Sequence, residues 1–490
     1  MAANGTSNGT DYTIPLWIDG KEVTTSTVFD IQSPATSKQI WKCYGATKKE
    51  TDQAVEAAQK AFKTWRKTKP QKIRDILFKA AEIMQRRQQE LASYQMEETG
   101  APDPVANGFM LPTTIEMLKD VGGRAPTITG VIPETTVEGT GAFVFKEPYG
   151  VNVGIAPWNA PFILGTRAFL YAIATGNTVV LKGSELSPRC FWSLGSVMHE
   201  AGLPAGVLNV IYHQPSDAVE VTNALIENVY TKKVNFTGST AVGSIISSKA
   251  GKELKPVVME LGGKASAIVL KDAELQNAAM QCALGAFIHS GQICMSTERI
   301  LVDKSILEPF SEALKEAVEK VYPKSGDGPT LVAKPAVQKN KKLIEDATSK
   351  GAKLIYGDLD TALNAENEYR IRPFIVTGVK PGMDLYYTES FGPSVSLIPF
   401  ETEQEAIDIA NDTDYGLSGA VFSENLGRAL RIAREIDSGA IHINQMSVHD
   451  EPTLGHGGVK KSGWGRFNGQ WGMDEFMKTK TVSYKNFTEA

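Results

Sequence analysis

Apolar positions along the chain follow three successive patterns. Near the start, Leu16-Trp17-Ile18 and Val23 flank Asp19-Gly20, a two-residue turn signal that predicts a β-hairpin. Ala54, Ala58, Phe62 and Trp65, then Ile73, Ile76, Leu77, Ala80, Ile83 and Leu91, recur at three- and four-residue spacing. That period predicts two amphipathic helices separated at Pro70, whose apolar faces are core and carry no chemistry. From about residue 141 the period changes again. Strand-like runs at 141–149, 151–156, 178–182, 207–212 and 234–236 alternate with helical stretches such as 189–201. Strand and helix alternating in this way predict a parallel sheet covered on both faces, with ligands held outside the carboxyl ends of its strands. A second set of strands, at 267–270, 300–302, 374–376 and 394–399, with helices before Cys294 and at 306–320, predicts a second α/β domain. The period-two run 480–484 has no element after it and is a candidate for pairing with another chain.

At 490 residues the chain exceeds one ordinary core, so two or three domains are expected. The formal charge of -5, without any Lys/Arg-rich run, argues against nucleic acid as a partner. Cys43, Cys190, Cys282 and Cys294 show no paired spacing, which excludes a disulfide framework and a zinc site, so no metal is expected and a reducing compartment fits. The opening MAANGTSNGTDYT has neither a basic nor an apolar targeting region, and its two Asn-Gly-Thr triplets read as chance in a disordered tail. No apolar run approaches the ~18–20 residues that span a bilayer. A cytoplasmic protein with no membrane partner is expected.

The candidate chemistry concentrates in residues 255–299. Glu260 ends an apolar strand and is followed by Gly262 and Gly263, where the backbone can bend and pass close to other groups. Cys294 lies in Gly291-Gln292-Ile293-Cys294, after an apolar helix and not within it. A thiol nucleophile served by a carboxylate base is one reading. An inert buried thiol, as Cys282 is read, and a Glu260 salt-bridged to Lys264 are the other. No GxGxxG opens a helix after a strand. Phe236-Thr237-Gly238-Ser239-Thr240 can do similar work, since Gly238 allows close backbone approach and Ser239 or Thr240 can cap a helix whose N–H groups attract phosphate; a plain strand-to-helix turn is the alternative. Lys182-Gly183-Ser184-Glu185 ends an apolar strand with a cation and a carboxylate that could accept from ribose hydroxyls, or with a solvated turn.

Taken together, Pro157-Trp158-Asn159, Lys182-x-Ser184-Glu185, Phe236 to Thr240, Glu260-Leu261-Gly262-Gly263-Lys264, Gly291 to Cys294, Glu389-x-Phe391-Gly392-Pro393 and Gly457-Gly458-Val459-Lys460-x-Ser462-Gly463 occur in one order. From about residue 15 to the end the chain resembles the aldehyde dehydrogenase superfamily, most of all its salicylaldehyde and vanillin dehydrogenase branch. The resemblance implies a Rossmann-type NAD-binding domain (1–125 and 148–259), an α/β catalytic domain (260–465) and a small β oligomerisation arm (126–147 and 466–490). It implies oxidation of an aldehyde, aromatic in this branch, to the acid by a homodimer or homotetramer. Cys294 would form the thiohemiacetal and thioester, Asn159 would hold the oxyanion and Glu260 would activate the hydrolytic water. Ile155, Pro157, Trp158, Lys182, Ser184, Glu185, Gly238, Ser239, Leu261, Glu389 and Phe391 would bind the cofactor. Glu185 favours NAD, with NADP as the alternative.

Some positions depart from the family pattern. A lysine and a glutamate that commonly relay protons away from the catalytic glutamate are replaced by Ala168 and Phe467. Arg167 and Ala160 stand where aromatic residues are common, and His456 where Phe is frequent. Arg167 could pair with a ring hydroxyl of the substrate or form an interface or surface salt bridge. Ile293, Met295 and His456 complete the expected substrate pocket, His456 read as structural more than catalytic. The competing functions are oxidation of aliphatic or amino aldehydes, an idle binding protein of this fold, and a thiol hydrolase indifferent to NAD.

Overall fold

The computed structural model describes residues 12–323, 328–359 and 367–485. The N-terminal tail with its Asn-Gly-Thr triplets and the last five residues lie outside these ranges. The strands Val151–Ile155, Thr178–Lys182, Leu208–Ile211, Thr231–Thr237 and Val257–Glu260 are buried at nearly every position, as parallel strands sandwiched by helices must be. They form the parallel centre of an eight-stranded sheet, in the order Val257–Glu260, Thr231–Thr237, Val151–Ile155, Thr178–Lys182, Leu208–Ile211. The chain winds outward from Val151–Ile155 in one direction and then returns to add strands on its other side. The carboxyl ends of Val151–Ile155 and Thr231–Thr237 therefore flank the point where the strand order reverses, the place where such sheets open a crevice.

At one edge the predicted hairpin Leu16–Ile18 and Lys21–Val23 joins this sheet. Its turn residues Asp19 and Gly20 have φ of 51° and 72°, the left-handed pair that a tight two-residue hairpin requires. At the other edge Gly463–Trp464 pairs antiparallel with Met259 and Glu260. Gly463 has φ 105°, and a Cβ there would meet the Met259 carbonyl oxygen at 2.1 Å. Only glycine lets these backbones approach.

The second sheet has seven strands, in the order Lys353–Tyr356, Phe374–Thr377, Ser394–Phe400, Thr297–Asp303, Ala265–Val269, Ser418–Phe422, Ala440–Ile443, and all neighbours but the first pair are parallel. The step from Glu260 in the first sheet to Ala265 in the second is made by Leu261 to Lys264 alone.

Three features differ from the sequence reading. The second predicted helix is two, Pro70–Arg86 and Gln88–Thr99, broken at Arg87 (φ -94°, ψ 10°), with Pro70 opening the first of them at a position where its missing N–H costs nothing. Thr27–Gln32 and Gln39–Gly45, with Thr13–Ile14, make a small sheet that was not anticipated. The C-terminal strand Met477–Lys485 finds its partner within the chain, pairing antiparallel with Thr140–Pro148 along its whole length.

Candidate active site

Cys294, Glu260 and Asn159 come from distant parts of the chain and line one cavity of ≈ 280 Å³ at the reversal point of the first sheet. Asn159 follows Val151–Ile155, Glu260 ends Val257–Glu260, and Cys294 follows the helix Leu275–Phe287 through a kinked turn. In that turn His289, Ser290 and Gly291 all adopt left-handed φ, of 49°, 61° and 73°. A Cβ on Gly291 would meet the Gly392 carbonyl oxygen at 2.2 Å, and one on Gly263 the Cys294 carbonyl oxygen at 2.2 Å. The glycines beside the two reactive groups are thus requirements of close backbone passage. Gln292 pins the loop: its side chain donates to the His289 and Thr330 carbonyls (3.2 and 3.1 Å) and accepts from the Val332 N–H (2.9 Å). Asn159 Nδ2 donates to the Gln292 carbonyl at 2.9 Å. One amide N–H is thereby used to orient the side chain, and the other is left for the cavity.

Glu260 is 1% exposed and neither carboxylate oxygen receives a hydrogen bond. The sequence alternative that Lys264 pairs with it is corrected: Lys264 instead donates to Glu298 (2.6 Å) and to the Thr388 carbonyl (2.7 Å). Among the described residues the one side chain within ion-pair distance of Glu260 is His456, Nε2 to Oε1 3.9 Å, too long for a hydrogen bond. Burial pushes the Glu260 carboxyl up, but the neighbouring His456, Cys294 and Arg167 outweigh it and leave it below the ordinary carboxylate range. Burial, reinforced by the Glu260 carboxylate, pushes the Cys294 thiol well up. The thiol is therefore protonated until a base relieves it.

Arg167 is 1% exposed and ion-paired to the buried Asp450 carboxylate, with its guanidinium over the Phe467 ring at 5.7 Å. Within the chain it is neither a surface salt bridge nor free. Asp450 also accepts from Asn468 Nδ2 at 2.8 Å. Asp450 was missed in the sequence, where it is one acidic residue in an irregular loop 283 positions from its partner. Ile293 and Met295 flank Cys294 in an apolar cluster with Leu417 and Val448, extended by Ile288 and Met446. Leu164 adds an apolar side chain to the cavity itself.

Pro157, Trp158, Gly238, Ser239, Leu261, Glu389 and Phe391 line the same cavity. Ser239 caps the helix Thr240–Lys252, its hydroxyl accepting from the Val242 N–H at 3.4 Å, so a helix N-terminus opens towards it. Glu389 accepts from the Gly263 N–H at 2.8 Å, and burial with the nearby Glu298 charge pushes it up to about 7. A Cβ on Gly262 would strike the Glu389 carboxylate at 2.7 Å. Phe391, held at φ 48°, sets its ring edge-on to Trp158 at 5.9 Å. Ile155, Lys182, Ser184 and Glu185 do not line this cavity. Ile155 pairs with Lys182 across the neighbouring strands, and Ser184 Oγ accepts from the Leu186 N–H at 3.2 Å. Lys182 lies 3.9 Å from Glu185, which lines an adjoining cleft of ≈ 410 Å³ with Val332 and Lys334. A capped helix terminus, a glycine-lined passage and a cation–carboxylate pair at a strand end fit a dinucleotide laid across the carboxyl ends of the strands.

Residues 17–482 match the model of the aldehyde dehydrogenase family. The chain is 40% identical over 484 residues to a vanillin dehydrogenase of Pseudomonas fluorescens, covering 96% of this chain and 98% of that one. Its fold superposes with a TM-score of 0.93 on a salicylaldehyde dehydrogenase from Pseudomonas putida G7 complexed with salicylaldehyde, 35% identical and covering 98% and 99% of the two chains. A betaine aldehyde dehydrogenase from Staphylococcus aureus in complex with NAD+ is 28% identical, with a TM-score of 0.91 and coverage of 97% and 95%. The chain belongs to the aldehyde dehydrogenase family. It is an enzyme of nicotinamide-dependent aldehyde oxidation. Among the described residues no helix is long and apolar enough to cross a membrane.

Proposed function

We propose that the protein oxidises an aromatic aldehyde of the hydroxybenzaldehyde kind to its carboxylic acid, with NAD as the preferred acceptor. The convergence of Cys294, Glu260 and Asn159 on one cavity carries this reading. The apolar cluster around Cys294, with Arg167 close enough to Glu260 to bias its charge, supports a flat, partly polar substrate. The vanillin and salicylaldehyde enzymes it resembles act on aldehydes of that class by their names.

Cys294 gives its proton to Glu260 and the thiolate sulfur bonds to the carbonyl carbon. The resulting oxyanion lies against the second amide N–H of Asn159 and the backbone N–H of Cys294, donors fixed in advance by the Gln292 contact. A bound nicotinamide supplies the acceptor for the hydride that leaves this carbon. Once the thiol's proton has left Glu260 for solvent, the carboxylate takes a proton from the water that attacks the thioester and returns it to the Cys294 sulfur as the acid departs. Lys182 and Glu185 would hold the adenosine ribose, where the Glu185 carboxylate would repel a 2′-phosphate. Ser239 and Trp158 would hold the pyrophosphate, and Glu389 with Phe391 the nicotinamide ribose and ring.

The division into NAD-binding, catalytic and arm segments belongs to the same reading, as does a cytoplasmic location. The long ribbon of Thr140–Pro148 with Met477–Lys485 supports a homodimer or homotetramer, because Ile132 beside it is 76% exposed and Phe145, Val482 and Tyr484 on it are also uncovered.

Steady-state NADH formation across substituted benzaldehydes and straight-chain aldehydes, repeated with NADP, tests the proposal. Higher kcat/KM for the benzaldehydes with NAD is expected. An aliphatic preference overturns the substrate class, and absence of NADH with every aldehyde overturns the activity.

A further inference from the structure

Each turnover of the reaction proposed above leaves the Cys294 proton on Glu260, which is 1% exposed. That proton must leave before the carboxylate can act on water, and it needs a group within reach that can accept it. His456 Nε2 stands 3.9 Å from Glu260 Oε1, is itself buried and makes no hydrogen bond. Its backbone is clamped on both sides by the Phe467 bridge, N–H to carbonyl at 2.9 Å and carbonyl to N–H at 2.8 Å. The ring is thus held in place by main chain, while its nitrogen is left over. A buried ring nitrogen without a partner costs stability, which makes a use for it worth seeking.

Another imidazole, His442 on the edge strand Ala440–Ile443, is near enough for its charge and that of His456 to interact, and its Nε2 is also buried and unpartnered. Its ring packs against that of His449 with centroids 4.7 Å apart. His449 Nε2 in turn lies 2.8 Å from Glu451 Oε1, with these two side chains 25% and 52% exposed. Burial, and the charges of His449 and His456, push His442 down to about 4, so it is neutral at neutral pH and offers a free lone pair. The groups that face His456 are Glu260, Asp450, the Arg167 guanidinium paired to Asp450, and His442. His456 beside the buried base and the partly exposed His449–Glu451 pair thus both neighbour His442.

We infer that His456 accepts the proton from Glu260 and that His442, His449 and Glu451 pass it on to solvent. The Glu260 O–H bond breaks as an N–H bond forms on His456, which restores the carboxylate. The imidazolium then loses its proton along the outer histidines to Glu451 and bulk water. No electrons move. His456 is on this account a positioning and relay residue acting through Glu260, and it touches neither substrate nor cofactor.

The inference rests on the thioester reading, and one experiment separates the two. Wild-type enzyme mixed rapidly with NAD and a benzaldehyde reports acylation as a burst of NADH and hydrolysis as the steady rate that follows. For His456→Gln a retained burst is expected, with kcat lowered at least about tenfold, on the scale of a lost proton-transfer partner. Added imidazole should recover much of that rate, as a mobile base replacing a fixed one. His449→Gln, at the surface and harmless to the fold, should lower kcat about twofold or more and change its pH dependence. An unchanged steady rate in His456→Gln, a burst lost along with it, or failure of imidazole to restore it overturns the route. Should His456→Gln not fold, a wild-type rate and pH profile in His449→Gln overturns it instead. A wild-type enzyme that forms no NADH sinks the proposed reaction itself.

Discussion

Two buried carboxylates stand on either side of the same short crossover, and they are treated in opposite ways. Glu298 receives Lys264 at 2.6 Å, the Ser390 N–H at 2.8 Å, the Phe391 N–H at 3.1 Å and the Ser390 hydroxyl at 3.1 Å. Glu260, four residues before Lys264, receives no hydrogen bond at all and only a distant imidazole. A fully bonded buried pair is a brace, and this one ties the second sheet to the segment that carries Glu389 and Phe391. An unbonded buried carboxylate is costly to keep charged and ready to take a proton. Lys264, the obvious local partner, is drawn away from Glu260, and that withdrawal leaves Glu260 available for chemistry.

The contrast can be broken at either end. Glu260→Gln is expected to lower kcat by about 10²–10⁴-fold, the range for losing a general base, and to slow the NADH burst as well, because Cys294 loses the group that takes its proton; a near-wild-type steady rate would return Glu260 to a structural role. Removing the brace on one side should act on stability. Urea unfolding of Lys264→Met is expected to show a loss of about 3–5 kcal/mol, because Glu298 is left charged and unpaired. The double change Lys264→Met with Glu298→Leu should recover most of it, and a single variant as stable as wild type would show that the pair braces nothing.

Arg167 tests the pair between these extremes, buried and bonded yet close enough to Glu260 to bias its charge. Arg167→Ala is expected to reduce the preference for hydroxylated over plain benzaldehydes by about tenfold in kcat/KM, the worth of one charge-assisted bond. Unchanged discrimination would leave Arg167 as the counter-ion of Asp450 alone.

The smallest effect concerns a third buried carboxylate. Glu98 accepts from the Arg189 and Cys190 N–H groups and from Trp41, yet burial pushes it up from 4.5 to about 7. Because the folded state holds its proton more tightly than the unfolded chain, its contribution is complete below about 4.5 and is lost as pH rises through about 7. Thermal unfolding of Glu98→Gln should therefore depend less on pH across that window than wild type. An equal dependence would mean the backbone donors keep Glu98 ionised throughout.

Much of this arrangement is local and was legible in the chain. Apolar runs alternating with helices disclosed both sheets because strands buried on two faces are rich in apolar residues. Asp19-Gly20 disclosed its hairpin because Asp and Gly accept left-handed φ in succession at low cost. Cys294, Glu260 and Asn159 stood out through their chemistry and glycine neighbours, and the aldehyde dehydrogenase resemblance through the order of short motifs. The break at Arg87 was not legible, since the apolar period runs through it.

What tertiary structure alone decided is which buried charge meets which. Period and propensity encode whether a position faces inward, and that is a property of a few neighbouring residues. The pairing of Arg167 with Asp450, of Lys264 with Glu298 and not Glu260, and the approach of His456 to Glu260 depend on sheet order and crossovers that bring together residues up to 283 positions apart. Electrostatic energy depends on distance in space, and spacing along the chain carries no measure of it.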